Sequence, residues 1–366
     1  MSVLAEWLGA QAPGYACTHA ISPAQRRALA AITCCRTPEM GGRVYRCAQC
    51  EKHDFAYHSC HHRACPRCGG NRTAAWAARQ SERLLPVPYF MVTFTLPAPL
   101  RQVFLVEPKV MIDLLFAESA RALQTVASRP QHLGADLGMT GVLHTWGRQL
   151  QCHPHVHYIV PGGGLRADGR KWRKTRQPEW LVPSRPVAAA FRMGLEAALR
   201  AALPSWHAQV PGSCWRQPWV VDIQHVGRGE SAVKYLARYV QRTAISDERI
   251  RSMDAKTVRF GYRDSRTGEA KTCTLAAAKF MRRYLQHVLP AGVHRVRYFG
   301  WEHPAAHRRR RVVETLLEVE IVVRSPADAE AASWHRVCPH CHTESLRCVG
   351  TLPRVARSPP FVRWAA

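Results

Sequence analysis

Two histidines one residue apart, His155 and His157, lie in the stretch "QCHPHVHYIVPGGG" at residues 151–164. Alternate side chains of a β-strand point to the same face, so a strand here would project both imidazoles together, with Val156 on the other face. Neutral imidazoles side by side can share one divalent cation. The alternative is a pair of histidines on the solvated face of a sheet edge. We predict a metal site.

A third ligand for this site should come from a neighbouring strand. The stretch "TGVLHTWG" has the pattern of a strand, and pairing of residues 141–146 with residues 155–160 would bring His144 close to the two histidines. Gln149 and Gln151, which lie in the intervening loop, are the alternatives.

The stretch "SAVKYLARYVQR" at residues 231–242 predicts a helix that could carry nucleophiles. Tyr235 and Tyr239 are four residues apart, so they lie on one helix face, one turn from each other. Ser231 can cap the helix. An apolar stripe would dock the helix on a sheet, and it consists of Val233, Leu236 and Val240.

A basic stripe runs beside the two tyrosines, at a spacing that suits a phosphate backbone, and it consists of Lys234, Arg238 and Arg242. A phenol with its ordinary pKa of about 10 is a poor nucleophile at neutral pH. Nearby arginines and a phosphate-bound cation would favour the phenolate and polarise the phosphate. The alternative is a pair of aromatic rings that pack in the core or stack on bases. We favour nucleophiles.

The cysteines of the chain predict a zinc site. Two Cys-x-x-Cys pairs in the N-terminal quarter resemble zinc knuckles that close one tetrahedral site with four thiolates, and these are Cys47, Cys50, Cys65 and Cys68. We expect this zinc to be structural, since no position is evidently left open for water. The neighbouring Cys35 and Cys60 could build a second site or replace one knuckle. Cys338 and Cys341, near the C-terminus, form half a site.

The net charge predicts a polyanionic partner. The chain has 52 Lys and Arg against 26 Asp and Glu, a formal net charge of +26 in 366 residues. Nucleic acid is the default partner for such a protein, and a ribosomal component or an acidic membrane surface are weaker alternatives. We expect no membrane span and no signal peptide. Paired cysteines then favour metal binding in a reducing cytoplasm over a disulfide scaffold. With nucleic acid as the partner, we expect the protein to be cytoplasmic and associated with the nucleoid.

The order of helical and strand patterns positions these residues in an α+β protein with a mostly antiparallel sheet. We expect three domains. The first is a helical and zinc-binding DNA-docking domain at 1–85, the second a catalytic domain at 86–300, and the third a basic C-terminal tail at 301–366 with a possible zinc turn.

Several longer stretches resemble one family. Paired histidines around one hydrophobic residue, followed by a helix with one or two tyrosines, resemble the HUH endonucleases. The stretches "YHSCHHRACPRCGG", "LHTWGRQLQCHPHVHYIVPGGGL", "YLARYVQRTAIS" and "HVLPAGVHRVRYFG" are similar to the rolling-circle transposases of the insertion-sequence ninety-one family. The resemblance covers about residues 20–300 and keeps the order of the blocks. The chain differs from the family pattern at Ala64, where many relatives have a histidine.

The resemblance implies a fold and a reaction. It implies an HUH-like antiparallel sheet with helices, preceded by a small zinc-binding domain. His155 and His157 would hold Mg²⁺ or Mn²⁺ at the scissile phosphate of single-stranded DNA from the element ends. Tyr235 and Tyr239 would be the nucleophiles, with either one starting the reaction, and would form a 5′-phosphotyrosine before strand transfer. The alternatives are a zinc-dependent DNA-binding regulator without nicking activity and a plasmid rolling-circle replication initiator.

Overall fold

A computed structural model describes residues 2–68, 70–240, 244–264, 266–319 and 337–355. At residues 70–72, 238 and 239 only the backbone is described. The helices of this part are α1 Val3–Thr18, α2 Pro23–Cys34, α3 Gly70–Glu82, α4 Arg101–Val106, α5 Pro108–Ala127, α6 Ser184–Ala202, α7 Pro204–Gln209, α8 Gly212–Arg216, α9 Glu230–Val240, α10 Ala277–Leu285 and α11 His307–Leu316. No helix in these ranges is long and apolar enough to span a bilayer.

The strands in the described ranges form four sheets. Their bounds are β1 Gly42–Cys47, β2 His53–Tyr57, β3 Tyr89–Thr95, β4 Gly138–Trp146, β5 Cys152–Pro161, β6 Gly163–Leu165, β7 Trp172–Lys174, β8 Val221–His225, β9 Ile250–Met253, β10 Thr257–Arg263, β11 Ala270–Ala276, β12 Val296–Gly300 and β13 Leu346–Leu352. The largest sheet has the order β12-β4-β5-β3-β8, and the smaller ones are β13-β1-β2, β11-β10-β9 and β6-β7.

The five-stranded sheet is the centre of the fold, and every neighbouring pair of its strands is antiparallel. One face packs on α5 and α6 around Val156 and Tyr158, which are fully buried. The other face packs on α3 and α9 around Val142 and Ile159. The predicted α+β class with an antiparallel sheet is therefore confirmed, and each face of the sheet has its own apolar core.

The N-terminal helices α1 and α2 pack on a third core, together with α10 and the sheet β11-β10-β9. Hydrogen bonds also join the first 70 residues to this later part of the chain: the Trp7 indole N–H donates to the carbonyl of Asp254, and the Tyr284 hydroxyl donates to the carbonyl of Ala64. Apolar cores therefore cross the predicted boundary at residue 85. The domain limits 1–85, 86–300 and 301–366 stay predictions.

The segment predicted as a C-terminal tail is built into other parts of the fold. The ring of Trp301 is fully buried beside the ring of Trp172, and its indole N–H donates to the carbonyl of Asp136 at 2.9 Å. Further along, β13 pairs antiparallel with β1, from Gly42 opposite Leu352 to Cys47 opposite Leu346. The sequence pattern missed this pairing because β13 buries none of its residues and lies about 300 positions from its partner, as the register shows.

Candidate metal and tyrosine site

The pairing of β4 with β5 brings three histidines to one face of the central sheet. His144 lies directly opposite His155, and Val142 lies opposite His157. Because alternate residues share a face, His144, His155 and His157 all lie on the side of the sheet that also carries Val142 and Ile159. That is the face covered by α9. The strand pairing expected from the sequence is therefore present.

The three imidazoles form a compact group. Each offers a ring nitrogen that lies within 4.8 Å of the nitrogens of the other two. The ring of His144 is 4.9 Å from that of His155 and 4.5 Å from that of His157, centroid to centroid. All three residues are buried. Three nitrogen donors at this spacing can surround one divalent cation, whose bonds to imidazole are about 2.0–2.1 Å long for zinc and similar for related ions.

Hydrogen bonds fix the orientation of two of these rings. Nδ1 of His155 donates to the carbonyl of His153 at 2.7 Å, so its proton is on Nδ1 and the lone pair is on Nε2. Nδ1 of His157 is 2.8 Å from the hydroxyl of Thr93 on β3, which lies opposite it in the sheet. Partners of this kind set the tautomer and the ring direction of metal-binding histidines, and here they leave Nε2 of each ring for the centre of the group.

The three imidazoles of this group are uncharged. Burial lowers the pKa of His155 to about 4 and that of His157 to about 3, and it lowers the pKa of His144 well below its ordinary value. An unprotonated imidazole has a free lone pair, which is the form that coordinates a metal ion. The site therefore presents three neutral nitrogen ligands at physiological pH.

Helix α9 brings a tyrosine to this group. Its apolar stripe docks on the sheet through Val233, Leu236 and Val240, all of them buried. The ring of Tyr235 lies edge-on to the ring of His157, with 6.0 Å between centroids, and the residue is 39% exposed. A substrate can therefore reach this phenol from solvent while the histidines lie beneath it. The helix begins at Glu230, so Ser231 lies inside its first turn and is not the cap.

The other predicted residues of this helix are described only in part. Lys234 is exposed beside Tyr235. The side chains of Tyr239 and Arg238 and the whole of Arg242 lie outside the described part of the chain. Their predicted roles stay predictions.

The alternative ligands Gln149 and Gln151 have a different place. The Gln151 side-chain oxygen accepts a hydrogen bond from the backbone N–H of Gln149, and the carbonyl of Gln149 accepts one from Arg283. These contacts engage both glutamines in the loop between β4 and β5.

Thr93 is a site residue that sequence reasoning missed. Its hydroxyl contacts His157 from the neighbouring strand β3. The one available signal is a threonine in an apolar strand, "YFMVTFTLP", but nothing in that pattern says which strand lies next to β5.

The cysteines form two groups of four, and their membership differs from the prediction. Cys65 and Cys68 lie with Cys35 and Cys60, whereas Cys47 and Cys50 lie with Cys338 and Cys341. The predicted single site of Cys47, Cys50, Cys65 and Cys68 is therefore wrong in its grouping. The physical reason is that β1 and β2 form a hairpin that carries the first pair away from the second, toward the partner strand β13. The first group is complete without a ligand at Ala64.

Comparisons with known proteins show that the chain is similar to transposases. Residues 138–311 match the family model described as "Putative transposase", and residues 8–96 match the model described as "Transposase zinc-binding domain". The chain is 34% identical to a protein named "Putative transposase y4qJ" of Sinorhizobium fredii, over 88% of each chain. It is 32% identical to the transposase for insertion sequence element IS801 of Pseudomonas savastanoi pv. phaseolicola, over 73% of this chain and 67% of the relative. No solved structure matches.

These matches show that the chain is a transposase, an enzyme that cleaves DNA. The chain belongs to the IS91 and IS801 family of insertion-sequence transposases. Its partner is DNA, in agreement with the formal charge of +26. The family's zinc-binding domain and the two cysteine groups support structural zinc in this protein.

Proposed function

We propose that this transposase nicks single-stranded DNA at the ends of an insertion element and becomes attached to it through Tyr235. The observation that supports the proposal is the contact between the half-exposed ring of Tyr235 and the ring of His157, at 6.0 Å. A phenol and a three-imidazole group at this separation can both touch one phosphodiester. Such chemistry depends mainly on positioning and charge neutralisation.

The reaction balances without an external energy source. The phenol oxygen of Tyr235 attacks the phosphorus, its proton passes to solvent, and the bond between phosphorus and the 3′ oxygen breaks. The departing 3′ oxygen takes up a proton and becomes a free hydroxyl, while the 5′ side stays on the protein as a phosphotyrosine. Because the ester bond is exchanged and not hydrolysed, a 3′ hydroxyl from another strand end can later attack the same phosphorus. That second exchange is strand transfer.

His144, His155 and His157 would hold a Mg²⁺ or Mn²⁺ ion. Three neutral nitrogens within 4.8 Å of one another fit such an ion, and two of the rings have their other nitrogen engaged by protein atoms. Such an ion, when bound, would polarise the scissile phosphate and neutralise charge that develops on it. Thr93 and the carbonyl of His153 contribute by holding the rings of His157 and His155 in one orientation.

The rest of α9 would guide the DNA strand. Lys234 is exposed one residue from the nucleophile, and Arg238 and Arg242 continue the same spacing along the sequence. Charges at this spacing suit successive phosphates. Tyr239, one helical turn beyond Tyr235, is the candidate for a second nucleophile at the other end of the element.

A covalent-adduct assay tests the proposal. The protein is incubated with Mn²⁺ and labelled single-stranded DNA from the element ends, and a denaturing gel separates any protein–DNA adduct. We expect an adduct with the wild-type protein and none with a Tyr235→Phe/Tyr239→Phe double variant. The single variants then assign the initiating tyrosine. Tyr262→Phe, on the separate sheet β11-β10-β9, is the matched control and should keep the adduct.

An adduct that persists in the double variant would show that another residue is the nucleophile. No adduct with the wild-type protein on element-end DNA, together with salt-sensitive binding, would favour a regulator whose tyrosines only stack on bases. Adducts on plasmid-origin DNA but not on element ends would favour a replication initiator.

A further inference from the structure

Four cysteines from opposite ends of the chain meet in one group. Cys47 is the last residue of β1 and Cys50 lies in the turn after it, whereas Cys338 and Cys341 precede β13 near the C-terminus. The sulfur atoms of Cys47 and Cys341 are 3.5 Å apart, and those of Cys50 and Cys338 are 3.7 Å apart, although the latter two residues are separated by 288 positions. The matched family models cover residues 8–96 and 138–311 and therefore include only half of this group.

These distances suit a tetrahedral metal site. A zinc–sulfur bond of about 2.3 Å places two sulfurs of a regular tetrahedron about 3.8 Å apart. A disulfide would need about 2.05 Å between the sulfurs, and all four cysteines are free. Cys47 and Cys338 are fully buried, so solvent does not reach the inner side of the group.

Backbone amides around the group point at its sulfurs. The N–H groups of Gln49 and Cys50 both lie 3.4 Å from the sulfur of Cys47. On the other side, the N–H of His340 lies 3.4 Å from the sulfur of Cys338. Both Cys-x-x-Cys turns thus donate hydrogen bonds to their first sulfur. Donors in this position stabilise the negative charge of a thiolate ligand.

The C-terminal segment has little else to hold it in place. Among residues 337–355, Cys338 alone is buried. The strand β13 is paired along one edge, with β1, and Ala48 donates a further backbone hydrogen bond to the carbonyl of Ser345. Strand pairing without an apolar face is only marginally stable in water, so this arrangement needs another source of free energy.

We propose that Cys47, Cys50, Cys338 and Cys341 bind a second zinc ion that fastens the C-terminal segment to the N-terminal zinc-binding module. Four thiolates in tetrahedral geometry select zinc or iron, and two knuckles that face each other beside a small antiparallel sheet are typical of structural zinc sites. The other group, of Cys35, Cys60, Cys65 and Cys68, takes the first zinc. The protein therefore carries two zinc ions per chain.

Metal analysis of the purified full-length protein tests this assignment. We expect two zinc ions per chain in the wild-type protein and one in a Cys338→Ser/Cys341→Ser variant. The matched control is Cys17→Ser/Cys348→Ser, which removes two exposed cysteines that belong to neither group and should leave two zinc ions. One zinc ion in the wild-type protein, two in the first variant, or iron in place of zinc would each overturn the proposal.

A second measurement needs no variant and so does not depend on the folding of one. The zinc-loaded wild-type protein is treated with an alkylating reagent at increasing chelator concentrations, and each cysteine is followed by mass spectrometry. We expect Cys338 and Cys341 to be protected at first and to become reactive at the same chelator concentration as Cys47 and Cys50. Cys348 should react throughout. Immediate alkylation of Cys338 and Cys341 while Cys47 and Cys50 stay protected would refute the shared site.

Discussion

The histidine group and the two cysteine groups are all clusters of buried ligands, but the chain assembles them in different ways. The histidines come from two neighbouring strands, and the register of β4 with β5 brings them together. The cysteines come from segments that are distant in sequence: Cys35 and Cys68 are separated by 33 positions, and Cys50 and Cys338 by 288. One kind of site is positioned by a sheet, and the other joins separate segments.

The two kinds of site also differ in how many buried residues surround them. The strands that carry the histidines are covered on both faces by apolar cores, which fold them whether or not an ion is bound. Between residues 36 and 64, by contrast, the buried residues are Gly41, Gly42 and Cys47. We infer that an ion at the histidines serves reactivity, whereas zinc at the cysteines serves stability. The following variants test that distinction.

The largest expected effect is on folding. Cys65→Ser removes a buried thiolate from the group of Cys35, Cys60, Cys65 and Cys68, and the segment 36–64 that this group fastens to the fold has few buried residues of its own. Structural zinc contributes an apparent free energy of about 10–16 kcal/mol in small zinc domains, so we expect loss of one zinc ion and unfolding of residues 34–68. Zinc content and hydrogen exchange of β1 and β2 measure this.

Cys214→Ser is the matched control. Cys214 is also buried, and burial raises the pKa of its thiol, so it stays protonated in the core beneath α6. We expect this variant to keep its zinc and to lose only about 1–2 kcal/mol of stability. Equal hydrogen-exchange protection of β1 and β2 in both variants would mean that zinc is not what stabilises this module.

The second effect is on reactivity without unfolding. His155→Ala/His157→Ala removes two of the three proposed ligands, and we expect adduct formation with single-stranded DNA to fall by at least about 1000-fold, or about 4 kcal/mol. Thermal unfolding should change far less than in Cys65→Ser, because the strands remain packed on both faces. His225→Ala, an exposed histidine on β8 of the same sheet, should keep full adduct formation.

If the two-histidine variant unfolds as extensively as Cys65→Ser, the distinction between reactive and structural sites fails. If it folds and still forms adduct at the wild-type rate, the histidines are not ligands in the nicking reaction.

The same distinction explains what could be predicted from the sequence. Strand periodicity put His155 and His157 on one face, and short-range pairing added His144, because hairpin neighbours are usually adjacent in a sheet. The partners of a Cys-x-x-Cys pair carry no such local signal. The sequence pattern allows Cys47 and Cys50 to form a site with Cys65 and Cys68. The pairing of β1 with β13 brings them instead to Cys338 and Cys341.

A smaller effect is expected at Thr93, which forms a hydrogen bond with His157. Thr93→Val keeps the shape of the side chain and removes the hydroxyl that lies 2.8 Å from Nδ1 of His157. Loss of such a partner typically lowers metal affinity or activity by about 10–100-fold, so we expect the Mn²⁺ concentration for half-maximal adduct formation to rise within that range. Thr93→Ser keeps the hydroxyl and should stay near wild type. An unchanged Mn²⁺ requirement in Thr93→Val would mean that the ring of His157 is held by packing alone.

The smallest effect concerns DNA binding, which neither kind of site should control. Lys234 is exposed on α9 beside Tyr235, and Lys234→Ala removes one charge from the proposed path of the DNA. We expect weaker binding of single strands of any sequence, and a slope of log affinity against log salt that is lower by about 0.7, the value for one contact with single-stranded DNA. Lys109→Ala, an exposed lysine on α5 across the sheet, should leave the slope unchanged. Equal slopes for both variants would place the DNA strand away from α9, and Tyr235 would then need another route to a phosphate.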